Sequence, residues 1–342
     1  MCIGRPVSRW ATATIVSGGM ALLASLSQST SAAVLSYESI DTPSLAVFDG
    51  KLFMAYAGTD KNQRLNYAVT SDGVNWSQVT DGSNRSGGGP AIAVFNGKIF
   101  VAFPGINDHR INIASSTDGQ HYSNQYVINS NWFTPWRPAL GSGGGRLWLA
   151  FQGQDNGLYT AYTTDGVNWT FGPIRHAQSG SIFGVNWASN VAWPPTLAPS
   201  SADGSTAPNI VYTWSQSQQE FGIAMPNQWQ VTLQSVTTVA TSAGVTCRTD
   251  YITTGAGPQG GLAYLPGEVL MPWISSGHIA LDVNGGSCRT SGITYPSSTS
   301  PSSGGSYGST GVAPAAVGWN GHAYVAWTGS DSAQHINFIE VF

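Results

Sequence analysis

The chain has 342 residues, a formal net charge of −4 and only 9% charged residues, against roughly a quarter in ordinary soluble domains. Thirteen Trp and an aromatic content of 11% exclude a disordered chain, which lacks the aromatics needed to build a core. The acidic balance and the want of any basic run speak against nucleic acid and anionic membranes as partners.

In chain order, Arg5 and Arg9 precede an apolar, small-residue run from about Ala11 to Leu26, followed by SQSTSAAV. This pattern predicts a secretory signal over 1–33, cleaved near Ala33. The run is short and broken by Gly18 and Gly19, which weighs against a membrane anchor. The expected mature chain, 34–342, is therefore exported, with no membrane insertion. It opens with one strand, VLSYESI.

A repeat follows. PSLAVFDGKLFMAYAGTDKNQRLNYAVTSDGVNWSQV begins at Pro43, and similar units begin at Pro90 and Pro138, offsets of 47 and 48. Weaker copies begin near Pro195, Pro258 and Pro314, making six. Each copy splits into short strand-like segments. The first ends in a tight turn such as Asp49-Gly50 or Asn96-Gly97, a hairpin signal. The second, KLFMAYAG or KIFVAFPG, is expected to alternate between faces. The third runs into a TDG turn, and the fourth begins at the aromatic that follows.

Four antiparallel strands in 40–50 residues predict a blade, and six blades an all-β, six-bladed β-propeller. No segment keeps a 3.6 period, which excludes a helical array. The last copy has only three strands, so the N-terminal strand is expected to complete it and remove an open edge. In the fourth copy, 215–227 reads as an insertion between the second and third strands. Cys247 and Cys288 stand in alike settings, VTCRTDYIT and GSCRTSGIT; whether they are bonded stays open.

The turns TSDGVNWS, STDGQHYS and TTDGVNWT carry Asp72, Asp118 and Asp165 before a glycine. S/T-x-D-G-x-x-W at the turn from third to fourth strand resembles the Asp box of sialidase-like propellers. The repeats also resemble those of secreted bacterial propellers with lectin-like, carbohydrate-binding members. The resemblance implies that the boxes lie on the face opposite the ligand site. The three acids are thus read as turn-formers rather than metal ligands, since no copy offers the several oxygens calcium takes.

On the other face stand the loops between strands two and three and the links between blades. The loops carry Asp60, Arg64, Asp108, His109, Arg110, Asp155, Glu220, His278, Asp331 and His335. The links NWFTPWRP and NWASNVAWPP place Trp132, Trp136, Trp187 and Trp193 just before a blade-opening proline, with Arg137 beside Trp136. Exposed aromatics stack on sugar rings. The candidate ligand residues are accordingly Trp132, Trp136, Arg137, Trp187, Trp193, Asp60, Arg64, Asp108 and Arg110.

Catalysis has thinner support. The resemblance to sialidases would imply an arginine cluster, with one Arg just before a proline in the first blade. That blade has none before Pro43, and Arg137-Pro138 offers the pattern only in the third copy. Glu220 is the one glutamate placed for chemistry, with Asp155 or Asp108 as a partner carboxylate. No zinc spacing, phosphate loop or His–Asp–Ser order appears, so no cofactor or metal is expected. The reading is an exported lectin-like propeller whose partner is a glycan or glycoconjugate. A glycoside hydrolase and a structural or protein-binding module are the alternatives.

Overall fold

The computed structural model describes residues 32–155, 157–175, 194–198, 204–210, 314–329 and 331–340; between 176 and 313 it otherwise describes only the backbone of the strand segments named below. β1 (Ala33–Glu38) comes first. Sheet I is β2 (Ser44–Phe48), β3 (Lys51–Ala57), β4 (Arg64–Thr70) and β5 (Ser77–Arg85). Sheet II is β6 (Ala91–Phe95), β7 (Lys98–Pro104), β8 (Ile111–Ser116) and β9 (Tyr126–Val127), and sheet III is β10 (Ala139–Gly143), β11 (Arg146–Gln152), β12 (Leu158–Thr163) and β13 (Thr170–Arg175).

A hairpin of β14 (Ser181–Ile182) and β15 (Val185–Asn186) precedes sheet IV, which is β16 (Thr196–Ala198), β17 (Asn209–Gln216), β20 (Gln228–Ser235) and β21 (Val245–Arg248). Its second and third strands are separated by a small hairpin, β18 (Gln219–Glu220) and β19 (Ile223–Ala224), where the sequence predicts an insertion. Sheet V is β22 (Ala263–Leu265), β23 (Glu268–Ser275), β24 (His278–Asn284) and β25 (Ile293–Thr294). Sheet VI holds β26 (Ala315–Trp319), β27 (His322–Thr328) and β28 (His335–Glu340). Cys247 lies within β21, and Cys288 outside the described residues.

Sheets I to V are antiparallel meanders. In sheet VI the order is β1-β28-β27-β26, so the N-terminal strand supplies the fourth place, with Val34 opposite Asn337 and Glu38 opposite His335. Among the described residues there is no helix, and none long and apolar enough to cross a membrane.

Local chemistry accounts for the hairpins. Asp49-Gly50, Asn96-Gly97 and Asn320-Gly321 all sit at positive φ, the turn whose twist matches that of paired strands. The second strands do not show the expected alternation. Leu52–Ala57 is buried on both faces, because sheet I packs against sheet VI on one side and sheet II on the other. Phe53, Leu65 and Tyr67 of sheet I form one core with Ile99, Val101 and Phe103 of sheet II. Comparable cores join sheets II and III, III and IV, and VI and I. Each such side chain contributes about 1.5–3 kcal/mol by leaving water.

The TDG turns staple successive sheets. Oδ1 of Asp72, Asp118 and Asp165 accepts hydrogen bonds from the two backbone N–H groups at i+2 and i+3, at 2.7–2.9 Å. It also accepts one from the hydroxyl of Thr70, Ser116 or Thr163. These donors hold all three carboxyls well below the usual carboxylate range. A Cβ on Gly119 would come within 2.3 Å of the Phe53 ring, and one on Gly166 within 2.6 Å of Phe100, so the glycines let each turn sit on the preceding sheet. Tyr122 then stacks on Tyr67 with centroids 3.7 Å apart, and Trp76 meets Phe338 edge-on. The acids are fully used as turn-formers.

Candidate functional site

The antiparallel meander puts hairpins and TDG turns at one edge, and loops two-to-three with the links between sheets at the other. The links entering sheets I, II and III share one construction. The backbone N–H groups of Ser39, Ser86 and Thr134 donate to the carbonyls of Gln334, Gln63 and His109, at 3.1, 3.0 and 2.9 Å. All three acceptors sit in the left-handed region, uncommon for residues other than glycine. The hydroxyls of Ser39, Ser86 and Thr134 then donate to the carbonyl two residues on. Asp41, Gly88 and Trp136 are therefore equivalent, as are Thr42, Gly89 and Arg137, each pair standing before Pro43, Pro90 or Pro138.

These links open onto a cavity of about 390 Å³ walled by the first strands β2, β6, β10, β16 and β26. Its walls are mostly small residues such as Ala46, Ala91, Ala139 and Gly141. Arg137 also lines it, although it is only 6% exposed. Its Nη2 donates to Thr196 Oγ1 at 3.4 Å. Burial pulls the Arg137 pKa down, and the nearby Asp41 charge opposes that pull. Burial pushes the Asp41 carboxyl up, against the N–H groups of Thr42 and Gly89 and the Arg137 charge. Two opposite charges, Asp41 in one link and Arg137 in another, thus interact beside the cavity.

Beside the mouth, the link 129–137 lies on the loop of sheet II. Ile111 N–H donates to the carbonyl of Trp132 at 3.1 Å, and Arg110 bridges Phe133. The Arg110 guanidinium lies 5.9 Å from the Phe133 ring centre, and its Nε 3.7 Å from Asp108 Oδ2. Trp136 is half-buried two residues before Pro138. The structure therefore brings Asp108, Arg110, Trp136 and Arg137 into one sector. Trp132 is 3% exposed and packs against Phe151 and Phe171, as core.

The other candidates are spread over the same edge. Asp60 Oδ1 accepts from Asn62 N–H, and Asp155 Oδ1 from Gly157 N–H. Asp155 Oδ2 also accepts from the Tyr159 hydroxyl at 2.6 Å, and burial with this carboxylate pushes that phenol up to about 12. Asp331 binds the His335 ring in the same way at 2.7 Å. Arg64 is exposed at the start of β4. Glu220 lies in β18, so its strand sits in the two-to-three connection of sheet IV; its side chain, Trp187 and Trp193 lie outside the described residues. Among the described residues, no three His, Cys, Asp or Glu side chains cluster to hold a metal ion.

Sequence reasoning missed Asp41 and Phe133. The signal for Asp41 was present: it stands two residues before Pro43, as Trp136 does before Pro138. Phe133 could be found only once Arg110 was known to face it.

No protein-family model matches the chain, and no curated protein matches it. Solved structures do. A protein of unknown function from Dyadobacter fermentans is 14% identical, with a TM-score of 0.56 over 92% of this chain and 98% of its own. AofleA from Arthrobotrys oligospora is 11% identical, with a TM-score of 0.54 over 91% of this chain and 90% of its own. A glycosyl hydrolase from Bacteroides ovatus is 13% identical, with a TM-score of 0.42 over 77% of this chain and 88% of its own. The first two share the fold.

Proposed function

We propose that the chain is an exported, lectin-like, six-bladed β-propeller that binds a glycan on the face carrying the two-to-three loops. Six four-stranded sheets, five of whose first strands line one cavity, and an N-terminal strand paired in the last sheet support the ring. The Asp-box turns on the opposite edge agree with it.

One observation carries the binding reading. The link 129–137 presents a half-buried Trp136 next to a buried Arg137 at the cavity mouth, with Arg110 over Phe133 alongside. An aromatic face, a planar cation and neighbouring carboxylates suit a sugar ring with its hydroxyls. A glycan array with parallel hydrolysis assays tests this: binding without turnover is expected.

A glycoside hydrolase is the second reading, and Asp41 is the observation in its favour. Burial raises this carboxyl against the opposing Arg137 charge, the direction in which a general acid is tuned. In that case Asp41→Asn or Glu220→Gln abolishes hydrolysis and leaves binding nearly intact.

A further inference from the structure

Arg64 at the start of β4 and Arg85 at the end of β5 are cross-strand partners, and both are exposed. Directly opposed side chains on a sheet have Cβ atoms roughly 4.5–5.5 Å apart, and like charges there are destabilising. The equivalent places elsewhere avoid this conflict. Arg110 faces Phe133 in sheet II, and His335 faces Glu38 in sheet VI. The main chain fixes the equivalence: Ser86, Thr134 and Ser39, which follow Arg85, Phe133 and Glu38, donate to the residues preceding Arg64, Arg110 and His335.

The surroundings hold Arg85 in place without neutralising either cation. Arg85 Nη1 donates to Asn62 Oδ1 at 2.9 Å, which fixes its guanidinium against the loop that leads to Arg64. Asp60 is the only carboxylate of that loop, and its oxygens accept from the backbone N–H groups of Asn62 and Arg64, at 2.7 and 3.4 Å. Among the described residues, neither arginine has an ion pair. Lys61 adds a third exposed cation to the same loop. Against these three cations stand Asp60 and Glu38, whose carboxylate accepts from Thr59 of the same loop, so a chain with a net charge of −4 carries a local excess of positive charge on its candidate ligand face.

We propose that Arg64 and Arg85 grip an anionic group, a sulfate ester or a carboxylate, on the bound glycan. The ligand's nature rests on the glycan reading above, but the site is on sheet I, apart from Trp136 and Arg137. Two guanidinium groups carried by cross-strand partners match an oxygen-bearing anion with paired, charge-assisted hydrogen bonds. The anion also relieves the repulsion between them. Because the pair is exposed, salt screens the interaction.

The test titrates full-length protein with heparin, polygalacturonate and uncharged dextran at low and high salt. It compares wild type, Arg64→Gln/Arg85→Gln and Trp136→Ala, and follows thermal stability in parallel. Wild type is expected to bind at least one acidic polymer about ten- to hundredfold tighter than dextran at low salt, the scale of one or two charge-assisted hydrogen bonds. Heparin alone assigns a sulfate ester; polygalacturonate alone assigns a carboxylate. The arginine double variant is expected to lose that advantage while its melting temperature holds or rises, since a like-charge pair is gone. Equal binding of all three polymers, undiminished acidic binding by the double variant, or binding lost together with a lower melting temperature each overturn the proposal. Failure of the aromatic site reads differently: Trp136→Ala then changes binding to no glycan, while salt-sensitive, arginine-dependent binding persists.

Discussion

Asp41, in the link into sheet I, accepts a hydrogen bond on Oδ2 from the backbone N–H of Gly89 in the link into sheet II, 2.8 Å away. The same carboxylate accepts from Thr42 N–H at 2.6 Å on its other oxygen. One side chain therefore ties two neighbouring links at the cavity mouth. The tie depends on glycine. A Cβ at position 89 would come within 2.9 Å of the Thr42 carbonyl and 3.1 Å of Asp41 Cγ.

Gly89→Ala should therefore push Asp41 away and lower stability by about 1–3 kcal/mol, the scale for leaving a buried polar group unsatisfied. Chemical denaturation measures it. Unchanged stability would show that the link adapts freely.

The TDG acids predict a pH dependence of defined sign. Their folded pKa values lie below the unfolded value of about 3.9. Their stabilisation is thus complete above about pH 4 and is lost as pH falls through the lower folded values. Asp165→Ala should lower the melting temperature near neutral pH, and its gap to wild type should narrow as pH drops below about 4. Glycan binding by the folded protein should not change. A variant with normal melting and lost binding contradicts the turn-former role.

Removing residues 34–41 takes away β1 from the mature chain together with the Asp41 link. Sheet VI then presents the edge of β28, and open edges pair with other chains. The expected outcome is a lower melting temperature with aggregation on size-exclusion chromatography. A monomeric deletion variant as stable as the full chain would argue against a closed ring.

Much of this fold was legible in the sequence because its turns are chemically explicit. Asp49-Gly50 and Asn96-Gly97 announced hairpins, the TDG repeats set the period, and the insertion read at 215–227 lies between β17 and β20, less its first two residues, which belong to β17. The burial of β3 on both faces was misread as alternation. Yet its signal was there: LFMAYA is a continuous apolar run rather than an alternating one, as suits a strand covered on both faces. The site was legible in part. NWFTPWRP flagged a special link, but the sequence could not separate Trp132, which packs in the core, from Trp136, which does not. The Arg64–Arg85 opposition depends on register across a bulge between Arg64 and Asn66, which no spacing rule supplies.

The central claim is that the Trp136–Arg137 link is the heart of a glycan site, and one measurement tests it most directly. Trp136→Ala is compared with wild type for affinity toward the best ligand on a glycan array. A stacking aromatic contributes on the order of 1–3 kcal/mol, comparable to burying a large side chain, so affinity should fall roughly ten- to hundredfold with little change in melting temperature. Wild-type affinity in a stably folded Trp136→Ala variant would contradict the account.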